Sequence, residues 1–157
     1  MRRWSLLITS FMLVTPAAAE PQSSLVGTWK LVSSIQIENG QTKENYGSHP
    51  LGQVMFDANG QFSNMILRSD LQPFGVNNRT SGTTDENAAV VKGSIAYFGT
   101  YTLSGNTLKL HIDGSTFPNW DNTDQTRIVH LTGEQLTWEN AAASGGGSAK
   151  LVFQKIK

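Results

Sequence analysis

The chain has 157 residues, no cysteine, and 12 Lys+Arg against 12 Asp+Glu, for a formal net charge of +0. Scattered, balanced charge without a basic stripe argues against a nucleic-acid partner. The missing cysteines exclude disulfides and a lipid-modified N-terminal cysteine, so a fold of this size must rest on its apolar core alone.

In chain order the first element is a leader. Arg2 and Arg3, the apolar run Leu6 to Val14 and Ala17-Ala18-Ala19 are the charged, apolar and small-residue parts of a secretory signal. Residues 1–19 therefore read as a signal peptide cleaved before Glu20, and 20–157 as the domain. The apolar run of about nine residues falls well short of the ~20 that span a bilayer. The Arg2-Arg3 pair stands directly after Met1 without the rest of a twin-arginine signal. Without the leader, 10 Lys and Arg face 12 Asp and Glu. The expected product is an exported monomer, periplasmic or extracellular, with no membrane span once the leader is gone.

From Gly27-Thr28-Trp29 onward, short segments of period-2 alternation are separated by turn signals such as Asn39-Gly40, Asn59-Gly60, Gly105-Asn106 and Gly133-Glu134. The pattern predicts strands near 27–37, 42–47, 52–57, 61–68, 95–103, 107–114, 124–132, 135–140 and 149–156. Sequential hairpins of this kind predict an all-β fold: a single antiparallel up-and-down barrel of 8–10 strands, closed so that no edge is left exposed. The exception is 69–94. A polar loop through Gly82 leads into Thr83-Thr84-Asp85-Glu86, a capping box opening a short helix that ends at Gly93. One helix after a long loop is either a lid over the barrel mouth or a plug in its end.

The apolar parity of each strand marks its inward face. It selects Trp29, Leu31, Ser33, Ile35 and Ile37 in the first strand, and Ile95, Tyr97, Gly99, Tyr101 and Leu103 in the fifth. Leu136, Trp138, Leu151 and Phe153 follow in the last two. Arg127 shares parity with Val129 and Leu131, and a buried guanidinium is costly unless paired. It meets an internal carboxylate, meets an anionic or carbonyl group on a ligand, or extends to water at the strand end. Arg68 is a weaker case on a mixed strand, and Trp120 lies on the turn Phe117-Pro118-Asn119-Trp120.

Chemistry-bearing motifs are sparse. His111 and His130 read as outward by parity, His49 lies in a loop, and no metal-ligand spacing joins them, so neither metal nor cofactor is expected. The nucleophile-elbow, phosphate-loop and dinucleotide patterns are absent, and Gly145-Gly146-Gly147-Ser148 reads as a hairpin loop. Asp113, Asp121, Asp124 and Glu139 offer carboxylates that sequence does not pair, so catalytic residues are unknown.

Leu25 through Ser33, Tyr46-Gly47 with Pro50-Leu51-Gly52, the block Gly93 to Tyr101, and the stretch from His111 through Ser115, Pro118-Asn119-Trp120 and Gln125 to Arg127 resemble the lipocalin-like domain family of bacteria and fungi. The resemblance covers nearly all of 24–156. It implies a lipocalin-type barrel that takes a small hydrophobic or amphipathic ligand, and it groups His111, Ser115, Trp120 and Arg127. That grouping conflicts with the outward parity of His111 unless a bulge lies beside Asp113-Gly114. One reading is a binding protein whose cavity is lined by Trp29, Tyr97, Tyr101 and Trp138, with Arg127 as polar anchor. The alternatives are a cyclase, isomerase or hydratase on the same barrel, and a purely structural module with a filled interior. A ligand cavity of roughly 300 Å3 or more separates the first two from the third.

Overall fold

A computed structural model describes residues 22–157, so the predicted leader lies outside the described residues. The described strands are β1 (Gly27–Glu38), β2 (Gln41–Lys43), β3 (Leu51–Phe56), β4 (Gln61–Leu67), β5 (Ser94–Ser104), β6 (Thr107–Ser115), β7 (Thr123–Thr132), β8 (Gln135–Asn140) and β9 (Ser148–Lys155), with one helix, α1 (Thr84–Gly93), between β4 and β5. All neighbours are antiparallel, and β9 returns to pair with β1 along most of its length. Eight strands thus close an up-and-down barrel, while β2 hangs on the far end of β1. The strand expected at 42–47 shortens to β2, beyond which the chain turns at Asn45 and Tyr46. The β1–β2 turn is set by Asn39 and Gly40 at φ 50° and 74°, left-handed values that a tight hairpin requires and those residue types tolerate.

Two bulges decide what faces inward. In β1, Leu31 pairs with Phe153 but Ser33 pairs with Val152, which leaves Val32 as an extra residue. The inward face therefore runs Trp29, Leu31, then Ser34 and Gln36, the last two 2% and 8% exposed. The expected inward positions Ser33, Ile35 and Ile37 are displaced to the outer side, because one added residue inverts every later side chain. In β6, Phe98 pairs with Gly114 and Gly99 with Ile112, so Asp113 is the extra residue. The bulge presses β6 against β5 so closely that a Cβ on Gly99 would collide with the His111 carbonyl. Gly99→Ala is expected to cost about 1–3 kcal/mol through forced backbone shifts. It should appear in denaturant melts as a lower midpoint at unchanged slope.

The two barrel ends differ. At one, the 3-10 turn Gln22–Ser24 leads into Leu25, which is buried and whose carbonyl accepts the Trp29 Nε1–H at 2.7 Å. Above it the interior is filled by rings: Phe56 lies 4.8 Å from Tyr101, 6.4 Å from Phe62 and 6.3 Å from Trp138, centroid to centroid. The other end carries the longer connections, 44–50, 68–93, 116–122 and 141–147.

Helix α1 forms as its capping box dictates. Thr83 Oγ1 accepts from Glu86 N, and the Glu86 carboxylate accepts from Thr83 N at 2.7 Å and from Gly75 N at 2.6 Å. These backbone donors, Gly75 first, hold the Glu86 carboxyl below its usual range. Only Gly93 of the helix is buried, so α1 does not plug the barrel. A helix with so few buried contacts opens at low free energy. Amide exchange across 83–93 is expected to be markedly faster than in β5 or β9, and equal protection throughout would contradict this.

Candidate functional site

The inner wall is layered by chemistry. Apolar side chains fill the end closed by Leu25, whereas the half nearer the long connections carries Ser34, Gln36, Asn64, Tyr97, Arg127 and Asn140, all buried. The β1 bulge contributes the first two. The parities of β4, β5, β7 and β8 bring the others to the same region.

Arg127 is the centre of this layer at 3% exposure, which removes the strand-end alternative. Its Nη1 donates to the Thr126 carbonyl at 2.9 Å, Nη2 donates to Gln125 Oε1, and the guanidinium carbon stands 5.8 Å from the Trp138 ring centroid. Among the described residues no carboxylate pairs with it, and Nε has no hydrogen-bond partner. Desolvation lowers its pKa, partly offset by the nearby Tyr97 hydroxyl. It is a buried cation without a counter-charge from the described chain.

Tyr97 stands opposite Asn64 in the β4–β5 register and is itself buried. Burial raises the Tyr97 pKa, while Arg127 and Asn64, close to the phenol, pull it back. That proximity falls short of regular hydrogen bonding on Asn64's side: both its amide oxygen and its amide nitrogen lack a partner of ordinary geometry at 1% exposure. Unpaired buried amides are uncommon and costly.

Tyr97 and Arg127 border a small pocket at this end, together with Ser34, Tyr46, Trp120, Trp138 and Asn140 among others. Its free volume is about 40 Å3. The expected large cavity is therefore not open, because aromatic side chains pack the space that parity assigned to it. A larger hollow of about 390 Å3 lies on the outer wall of β5–β7, bordered by exposed Thr100, Thr102, Lys109, Asp124 and Thr126. It holds none of the buried unpaired groups, so the smaller pocket is the better candidate.

The predicted site residues divide accordingly. Tyr97, Trp120, Trp138 and Arg127 meet at the pocket. Trp120, on the 3-10 turn Pro118–Trp120, packs edge-on against Tyr97 at 5.2 Å and against Phe117 at 5.8 Å. Trp29 and Tyr101 belong instead to the filled end, where Tyr101 donates to the Asp57 carbonyl at 2.8 Å. Arg68 is held on the surface by Asp70 at 2.7 Å.

The bulge expected beside Asp113-Gly114 is present, yet it leaves His111 on the outer wall. There its Nδ1 is 2.8 Å from Asp124, and its Nε2 is 3.8 Å from Asp113. What the bulge does is turn Ser115 onto the Tyr97 register, where its hydroxyl accepts from Phe117 N at 3.0 Å and shapes the turn before Trp120. No group of three or more His, Cys, Asp or Glu suited to a metal ion occurs among the described residues.

Sequence reasoning passed over Asn64, Tyr46, Gln36 and Asn140. Asn64 was legible as a polar residue on the buried parity of β4. Gln36 was hidden by the bulge, and it now donates from Nε2 to the carbonyls of Gly145 and Gly146 at 3.0 and 2.6 Å, which fastens the glycine loop over the pocket. Tyr46 comes from a turn that no strand parity describes. Burial, with Tyr97 beside it, pushes its phenol up to about 12.

Comparison with known proteins matches this architecture. The model of the lipocalin-like domain family matches residues 26–156. A 4'-hydroxy-3'-methoxypropiophenone carrier protein of Aspergillus oryzae is 33% identical over 64 residues, which is 36% of this chain and 58% of that relative's length. The chain thus spans little more than half of the curated relative it matches. A crystal structure of a lipocalin-like protein from Bacteroides uniformis is similar at 19% identity and a TM-score of 0.47, covering 84% of this chain and 98% of that one. With a closed eight-stranded barrel and a family match across nearly all of its described length, the chain belongs to the lipocalin-like domain family.

Proposed function

We propose that this protein is an exported carrier that takes a small amphipathic molecule into the polar end of its barrel, polar group first, onto Arg127. The observation that carries this reading is the buried guanidinium, bordering a pocket with no carboxylate partner among the described residues. A desolvated cation of this kind is stabilised when a ligand oxygen completes its coordination. The carrier activity named for the Aspergillus oryzae relative supports the same class of role.

A pocket of about 40 Å3 holds roughly one water, so a ligand must displace its cover. Tyr46 in its turn and Ala143-Ser144 in the glycine loop form that cover, and both belong to connections and not to strands. Connections move more readily than strands, and opening this cover breaks the two Gln36 hydrogen bonds to Gly145 and Gly146 while the barrel stays rigid. Native mass spectrometry of protein purified from its own host is expected to show a co-purifying small molecule that Arg127→Met protein lacks. Ligand-free protein from the host, together with no change of Trp120 or Trp138 fluorescence against a library of small amphiphiles, would leave a filled structural module as the reading.

A further inference from the structure

The outer wall of β3, β4 and β5 breaks a rule that the rest of the barrel keeps. An antiparallel sheet with one solvated face alternates apolar-in and polar-out. Here Leu51, Met55, Met65, Leu67 and Phe98 point outward, each between 38% and 55% exposed. Register gathers them on one surface. Leu51 opposes Leu67, Met65 lies between Gln53 and Ala96, and Ser63 lies between Met55 and Phe98. These three strands contain no Asp, Glu, Lys, Arg or His. The other barrel strands each carry at least one such residue: Lys30 in β1, Lys109 in β6, Asp124 in β7, Glu139 in β8 and Lys150 in β9.

Independently of the carrier reading, we propose that this wall is the contact face of a two-fold dimer, covered by the same wall of a second copy of this chain. The monomer expected from the sequence is then the dilute form. Aromatic residues and Met enriched, with Lys, Asp and Glu depleted, is the composition of the core of a protein interface. Unbranched methionines also adapt to an opposing surface, including a copy of themselves. At their observed exposures the five side chains offer about 400 Å2 of apolar surface, the size at which a patch marks an interaction site. With Gln53, Ser63, Ala96 and the flanking residues of β1 and β6, the face approaches the ~800 Å2 that one partner gives to a standard interface.

Charge decides the occupant. The strand order β1-β3-β4-β5-β6 makes β4 the middle of the face. Its borders carry opposite signs: Lys30 on β1, in the row of Gln53 and Met65, and Asp113 on β6, 3.8 Å from the Nε2 of the outward His111. A two-fold axis parallel to β4 lays the β1 border of one copy over the β6 border of the other. Lys30 then meets the partner's Asp113, the pair occurs twice, and Met65 meets its own copy at the uncharged centre. A lipid surface fits less well, because the outward positions of these strands offer neither the Trp and Tyr nor the cluster of Lys and Arg that interfacial docking uses.

Sedimentation velocity of protein purified from its own host, between about 1 and 100 μM, is expected to show monomer passing into dimer. Met65→Lys is expected to raise the midpoint by about tenfold or more, since two like charges then face each other at the axis. Its melting curve in dilute solution should match wild type, because an exposed side chain is replaced. Met55→Lys, in a neighbouring row, is expected to weaken association in the same direction, whereas Thr126→Lys on the outer side of β7 should not. Met65→Lys and Met65→Glu proteins mixed in equal amounts are expected to regain association, which happens only when the face meets itself.

A protein that stays monomeric at every concentration overturns the proposal. If that monomer also floats with vesicles of phosphatidylethanolamine and phosphatidylglycerol, and Met65→Glu does not, the face belongs to a lipid surface instead. A dimer that both lysine variants on the face leave intact, or Lys and Glu variants that stay apart when mixed, overturns it as well. Each of these results leaves the carrier reading untouched.

Discussion

Removal of residues 149–157 is expected to leave no folded protein. This segment supplies nearly all of β9, which pairs with β1 from Trp29 to Ile37 on one side and with β8 from Gln135 to Asn140 on the other. It also buries Leu151 and Phe153, at 7% and 0% exposure, against the core. Truncating one such side chain costs about 2–5 kcal/mol, and the whole stability of a domain is about 5–15 kcal/mol. Losing both, with two ladders of backbone hydrogen bonds and two newly exposed edges, exceeds that margin. Circular dichroism and thermal melting of the truncated chain check this. A soluble product with an unchanged melting transition would mean that closure through β1 and β9 does not hold the barrel together.

The second large effect falls on Arg127→Met, and it separates stability from binding. Methionine keeps most of the volume and removes the charge. No carboxylate among the described residues is stranded, and Gln125, which is only half-buried, can turn its amide to water. The melting temperature is therefore expected to hold or rise, as it does when a costly buried ion gives way to an apolar group. Affinity for the co-purifying molecule is expected to fall by about 2–5 kcal/mol if it is anionic, the usual loss for one partner of a buried charged contact. A destabilisation of about 3–5 kcal/mol would instead reveal an internal ion partner.

Much of the fold was legible in the sequence because its signals are local. Turn residues such as Asn39-Gly40 set hairpins through their own φ preferences, and Thr83 with Glu86 caps a helix within four residues. Period-2 alternation marked the inward faces of β5, β8 and β9, and it placed Arg127 inside although its charge argued otherwise. The lipocalin-like resemblance followed from the same strand blocks.

The site was legible only in part, since its contents depend on register. Parity predicts facing correctly until one extra residue intervenes, and Val32 and Asp113 are such residues. The first brought Ser34 and Gln36 inside in place of Ile35 and Ile37. The second aligned Ser115 with Tyr97 while His111 stayed outside. Whether the interior is hollow was likewise beyond any one strand, because the rings of Phe56, Tyr101 and Trp138 come from three of them and fill the space only where they meet.

The sequence by itself determined a barrel with a guanidinium turned inward, because strand parity and turn chemistry are properties of neighbours along the chain. The tertiary structure decided which end is filled, which polar groups surround Arg127, and that no carboxylate among the described residues answers it. Those outcomes depend on bulges and on contacts across the barrel, and such contacts exist only once distant strands are in register.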